Sequence, residues 1–107
     1  MKKYIAALLL ASASAHAGFL SGNTLLQHIN SNEHIWQSYA NGYIVGVHDL
    51  GDTVLFCTPA TLTVGQAKDI VRIYLEINPN LRHMVAEALV VNALKQAYPC
   101  AKRGTSS

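Results

Sequence analysis

The sequence predicts an all-α domain, a small bundle of about four helices with one disulfide closing its C-terminal helical hairpin. Three observations carry that expectation. Apolar residues after Asn23 recur at spacings of one, three and four, with no useful stretch of period-two alternation. Capping and breaking residues cut this pattern into four segments. The two cysteines, Cys57 and Cys100, flank the last two segments.

The chain opens with Met1-Lys2-Lys3-Tyr4, runs through apolar Ile5 to Ala11 and reaches Ala15-His16-Ala17. This is the pattern of a secretory signal peptide over residues 1–17, cut before Gly18. A membrane anchor needs about 20 apolar residues, and Ser12, Ser14 and His16 interrupt the run too early. The expected mature unit is a single domain over 18–107, exported into an oxidising compartment, with no stable membrane anchor.

The first mature helix has Ser21 or Asn23 as its cap and Leu25, Leu26 and Ile29 on its inner face; Asn30-Ser31-Asn32 ends it. The second starts near a capping Asn32 and places Ile35, Trp36, Tyr39, Tyr43, Ile44 and Val47 on one wide apolar face. Gly42 and Gly46 lie four apart on it, each costing up to ~1 kcal/mol relative to Ala. Close approach by another helix is the expected compensation. Asp49 to Thr61 reads as a loop with an extended Thr53–Phe56, too isolated to need a sheet.

Thr63-Val64-Gly65-Gln66 fits a capping box opening the third helix, which buries Ala67, Ile70, Val71 and Tyr74 and stops at Asn78-Pro79. Pro79 suits the first position of the fourth helix with Asn78 as cap. That helix carries Leu81, Met84, Val85, Ala88, Leu89, Val91 and Leu94 and ends before Pro99. Helices three and four would span roughly 22 and 28 Å, and a turn this short makes them antiparallel. Their far ends, where Cys57 and Cys100 lie, are therefore expected within the ~4.4–6.8 Å Cα separation of a disulfide. Export to an oxidising compartment favours the same pairing.

Composition narrows the function classes. Of 107 residues, 50% are hydrophobic and 13% charged, which argues against intrinsic disorder. Signal cleavage removes Lys2 and Lys3 and no acid, leaving equal numbers of basic and acidic side chains and no formal net charge. The remaining Lys68, Arg72, Arg82, Lys95, Lys102 and Arg103 are scattered, so nucleic acid is not an expected partner. No G-x-S-x-G, H-E-x-x-H, P-loop or C-x-x-C is present. No catalytic residue, cofactor or metal is expected: His28, His34, His48 and His83 form no i,i+4 pair with another His or Cys. A cysteine nucleophile partnered by one of these histidines would need a free thiol.

Phe19-Leu20-Ser21-Gly22-Asn23 with Leu25-Leu26, Gly42-Tyr43-Ile44 with Gly46-Val47 and Asp49, Phe56-Cys57 with Pro59, and Gln66 form an ordered series. It continues through Tyr74-Leu75, Pro79, His83, Ala86, Ala93-Leu94 and Tyr98-Pro99-Cys100. In this series the chain resembles the Rap/Tai-type immunity proteins, small exported bacterial proteins that protect against peptidoglycan-cleaving amidase effectors of type VI secretion. The resemblance implies an all-α periplasmic domain, commonly a homodimer, that binds its cognate amidase and blocks the active-site cleft. It also implies a departure: many relatives look as if they carry a further cysteine pair where His28 and Ala40 stand here.

Inhibition of that kind needs a protruding contact of standard interface size, roughly 1,600 Å² in total. Two segments are candidates: the loop Asp49 to Pro59, with Asp49, Asp52, Val54 and Leu55, and the turn Glu76 to His83, with Asn78, Asn80, Arg82 and His83. The alternative function is a periplasmic helical chaperone or stress-related binding protein whose histidines charge in mildly acidic solution.

Overall fold

The computed structural model describes residues 19–101. The signal-peptide reading and the Lys102–Ser107 tail lie outside them. Among the described residues there are four α-helices and one 3-10 turn: α1 (Gly22–Ile29), α2 (His34–Gly51), α3 (Val64–Ile77), the turn Pro79–Leu81 and α4 (Ala86–Ala97). The all-α bundle is therefore as expected. Leu25 of α1, Ile44 of α2, Val71 and Leu75 of α3, and Leu89, Val90 and Leu94 of α4 form one fully buried core with Phe56 from the loop after α2.

Helix α1 starts where three free amides find acceptors. Ser21 Oγ accepts from the Thr24 amide at 3.2 Å, the carbonyl of Met84 from Gly22 at 2.9 Å and that of Arg82 from Asn23 at 2.8 Å. The Leu20 carbonyl returns a bond to the Ala86 amide at 2.8 Å, so the starts of α1 and α4 satisfy each other. Gly22 makes this possible, because a Cβ there would run into Leu89 and lie 2.9 Å from the Arg82 carbonyl.

That exchange corrects the expected fourth helix. Pro79 opens only a 3-10 turn, and α4 begins seven residues later at Ala86. Asn78 closes α3 instead of capping α4, its side-chain amide donating to the Tyr74 carbonyl at 2.9 Å. The buried face of α4 rotates accordingly: Val90 is in the core and Met84 is exposed. The capping box of α3 is present as expected, with Thr63 Oγ1 accepting from the Gln66 amide at 3.1 Å and Gln66 Oε1 from the Thr63 amide at 2.9 Å.

Helix α2 differs more. Its N-cap is Glu33, without a side-chain cap bond, while Ser31 Oγ takes the Glu33 amide at 3.0 Å, so Asn32 is not the cap. At the other end it continues through Asp49 to Gly51 and shortens the expected loop. Its core face is Ala40, Ile44 and Gly51; Ile35, Trp36 and Tyr39, expected inside, are exposed. Gly42 and Gly46 do not admit a neighbouring helix, since a Cβ built on either meets nothing within 4 Å.

Cys57 and Cys100 are joined as expected, with Cα atoms 4.9 Å apart. Beside the bridge the Cys57 amide donates to the Tyr98 carbonyl at 2.9 Å, fixing the start of the α3 approach to the end of α4. In place of a second cystine, the α1–α2 hairpin holds His28 stacked on Trp36, ring centroids 4.5 Å apart and planes 9° from parallel, with Tyr39 edge-on to His28 at 5.2 Å.

Candidate functional site

Residues 52–58 form a tight turn with hydrogen bonds at both ends. Two amides fold back on the end of α2, Val54 and Leu55 both donating to the Gly51 carbonyl at 3.1 and 2.7 Å, and a third closes the turn on itself, Thr53 donating to the Phe56 carbonyl at 2.7 Å. Thr53 sits at φ +69°, a left-handed conformation that a β-branched residue adopts only under constraint. Phe56 is the anchor: its ring is fully buried against Gly51, where a Cβ would come within 2.8 Å of Cε2. The extended strand considered for Thr53–Phe56 is this turn.

The acidic residues of the loop hold it in shape. Asp52 Oδ1 accepts from the Thr58 amide at 2.9 Å and the Thr53 amide at 3.1 Å. The Thr58 amide bond, helped by the Thr58 hydroxyl and His48, keeps the Asp52 carboxyl below its ordinary value against the opposing effect of desolvation. His48 completes the brace, with Nε2 2.7 Å from Thr58 Oγ1 and 3.8 Å from Asp52 Oδ2, and Nδ1 3.0 Å from Asp49 Oδ1.

Carboxylate, imidazole and hydroxyl in this order match a hydrolytic relay. Such a relay also needs amide donors where an oxyanion would form, and the Thr58 amide is already committed to Asp52. The geometry is that of a latch. It presents Val54 and Leu55 at the turn tip, 76% and 48% exposed, with Leu50 exposed at their base.

The structure thus divides the sequence candidates. Val54 and Leu55 stand together on one apolar tip, and Asp49 and Asp52 support it from below. Asn80, Arg82 and His83 lie on the connector at the opposite end of α3, about 21 Å along its axis. Asn80 and His83 are exposed there, while Arg82 is half-buried with its carbonyl engaged by α1. Sequence reasoning missed an apolar groove of about 720 Å³ beside the turn, between Gly42, Tyr43, Gly46, Val47 and Leu50 of α2, Leu55, and Ala88 and Val91 of α4. Burial, with the Glu87 carboxylate nearby, raises the Tyr43 phenol above its ordinary value. The available signal was charge: His34 to His48 contains no Asp, Glu, Lys or Arg.

A disulfide-closed helical domain that presents a braced apolar turn has the features of a protein-binding module. The chain belongs to a family of such modules: the family model of the Rap1a immunity proteins matches residues 21–100. Among curated proteins none matches the chain. Family membership implies that it binds a cognate effector, and immunity proteins of this kind are generally non-enzymatic. No described helix is long and apolar enough to cross a membrane.

Proposed function

We propose that this protein is a periplasmic immunity protein, exported by its N-terminal signal peptide, that acts as a homodimer to bind and block a peptidoglycan amidase effector of type VI secretion. The observation that carries the reading is the latched turn, in which Val54 and Leu55 are exposed while Phe56, Cys57, Asp52 and His48 hold the backbone beneath them. A turn ordered before binding loses little entropy when it enters a cleft. Two adjacent apolar side chains at its tip are suited to serve as the few anchors that dominate such interfaces. Asn80 and His83 on the far connector are left as a rim or a separate contact.

The test is protection. A cell whose periplasm receives the cognate amidase should survive when the protein is co-expressed and lyse when Val54→Asp/Leu55→Asp replaces it, with the variant accumulating to the same level. Protection undiminished by both aspartates would remove the turn from the mechanism. Suppression of client aggregation without any stoichiometric amidase complex would favour the chaperone reading instead.

A further inference from the structure

We propose that the cavity at the α1–α2 corner is a binding site for an uncharged sugar ring, free or carried on a glycan. The cavity, about 570 Å³, opens between the end of α1 and the first turn of α2, a size within the range of small-ligand sites. Trp36 and His28 form its aromatic wall, and Gln27, Asn30, Asn32 and Glu33 stand around it. It lies apart from the latched turn, since the two occupy opposite ends of α2, about 25 Å along the helix axis. Occupancy of one therefore leaves the other open, and the inference holds whether or not an amidase is the partner at the turn.

The lining selects the chemistry of the ligand. An apolar molecule would strip water from four polar side chains and return no hydrogen bond to them. An anion, nucleotide phosphates included, would meet the Glu33 carboxylate with no Lys or Arg in the lining to receive it. An uncharged pyranose suits both parts of the wall. Its C–H face lies against an aromatic ring, while each hydroxyl donates and accepts, as do the three side-chain amides; the Glu33 carboxylate adds acceptors. Among the described residues no hydrogen bond engages the side chains of Gln27, Asn30, Asn32 or Glu33, so that capacity is unspent.

The site is also ordered before a ligand arrives. The Asn30 amide donates to the Leu26 carbonyl at 3.0 Å and the Ser31 amide to the His28 carbonyl at 3.2 Å. The Glu33 amide donates to Ser31 Oγ at 3.0 Å, and the Gln37 side-chain amide to the Ser31 carbonyl. Trp36 is held by its parallel stack on His28, yet remains 39% exposed. A fixed indole and a fixed loop reduce the entropy lost on binding.

Trp36 is the only tryptophan in the chain, so its emission reports directly on the cavity. The mature oxidised protein is titrated with N-acetylglucosamine, with its β-1,4-linked disaccharide and with maltose. A saturable change in emission with at least one of these is expected, with the affinity at least about 10-fold weaker in Gln27→Ala/Asn32→Ala. Both side chains are exposed and make no bond within the fold, so the double variant should keep its melting midpoint. Tighter binding of a disaccharide than of the monosaccharide assigns the site to a glycan chain, and equal binding to a free sugar. Emission that no sugar changes overturns the proposal, as does a response equal in the native protein and the double variant. A response to adenosine alone overturns it in favour of a flat nucleobase. Amidase inhibition, read separately, bears on the turn and not on this cavity.

Discussion

Asp52 and Gly51 show how single residues shape the turn. Asp52 has its carboxyl lowered in the folded state by amide donation from Thr58. A carboxyl lowered on folding contributes stability that is fully present above its unfolded value, about 3.9, and is lost as the pH falls through the folded value. Asp52→Asn should abolish that part of the acid sensitivity below about pH 4, and thermal melts of both proteins between neutral pH and pH 3 would show the two curves converging. Gly51 is constrained by contact, with the Phe56 ring where its Cβ would be. Gly51→Ala should cost about 1–3 kcal/mol through overpacking, measured by urea unfolding. Neither role was legible in the sequence. The sequence offers Asp49 and Asp52 as members of a contact loop; what they bond to within the fold depends on where Thr58 and His48 fall in three dimensions.

At the scale of the helices, legibility followed the range of the interaction that fixes each boundary. The Thr63–Gln66 box is complete within four residues, and the sequence placed α3 correctly. The start of α4 depends on the Leu20 carbonyl, more than sixty positions away, and the local signal at Asn78-Pro79 pointed to the wrong end of a 3-10 turn. The face of α2 was misread for a related reason. Its apolar residues span more of the circumference than the bundle covers, and periodicity alone does not say which part is left outside. Two consequences can be measured by unfolding at low protein concentration. Gly42→Ala and Gly46→Ala should each stabilise the monomer by up to about 1 kcal/mol, because the new methyl meets nothing. Trp36→Ala should destabilise the α1–α2 hairpin by at least about 0.5–1.5 kcal/mol, the contribution of an aromatic pair beyond its buried area, through loss of the His28 stack.

For the molecule as a whole, the sequence carried most of what matters: an all-α bundle, and one cystine between segments separated by 43 residues. The chain-entropy model assigns a loop of that size about 4 kcal/mol, a large share of the roughly 5–15 kcal/mol expected of a small domain. Reduction, or Cys57→Ser with Cys100→Ser, should therefore lower the urea midpoint substantially. Because the bridge also anchors the turn after Phe56, binding should weaken with it. With residues 1–17 removed, as the proposed signal peptide requires, equal numbers of basic and acidic side chains remain, so attachment to the effector would depend on apolar anchors and shape more than on long-range attraction. The most direct measurement of the central claim is a titration of the cognate amidase's peptidoglycan hydrolysis with the oxidised mature protein and with Val54→Asp/Leu55→Asp. Complete inhibition at one binding site per amidase by the native protein, with at least 100-fold weaker inhibition by the folded variant, is the predicted result. Equal inhibition by both proteins would contradict the role given to the latched turn, and hydrolysis unaffected by either would contradict the immunity reading itself.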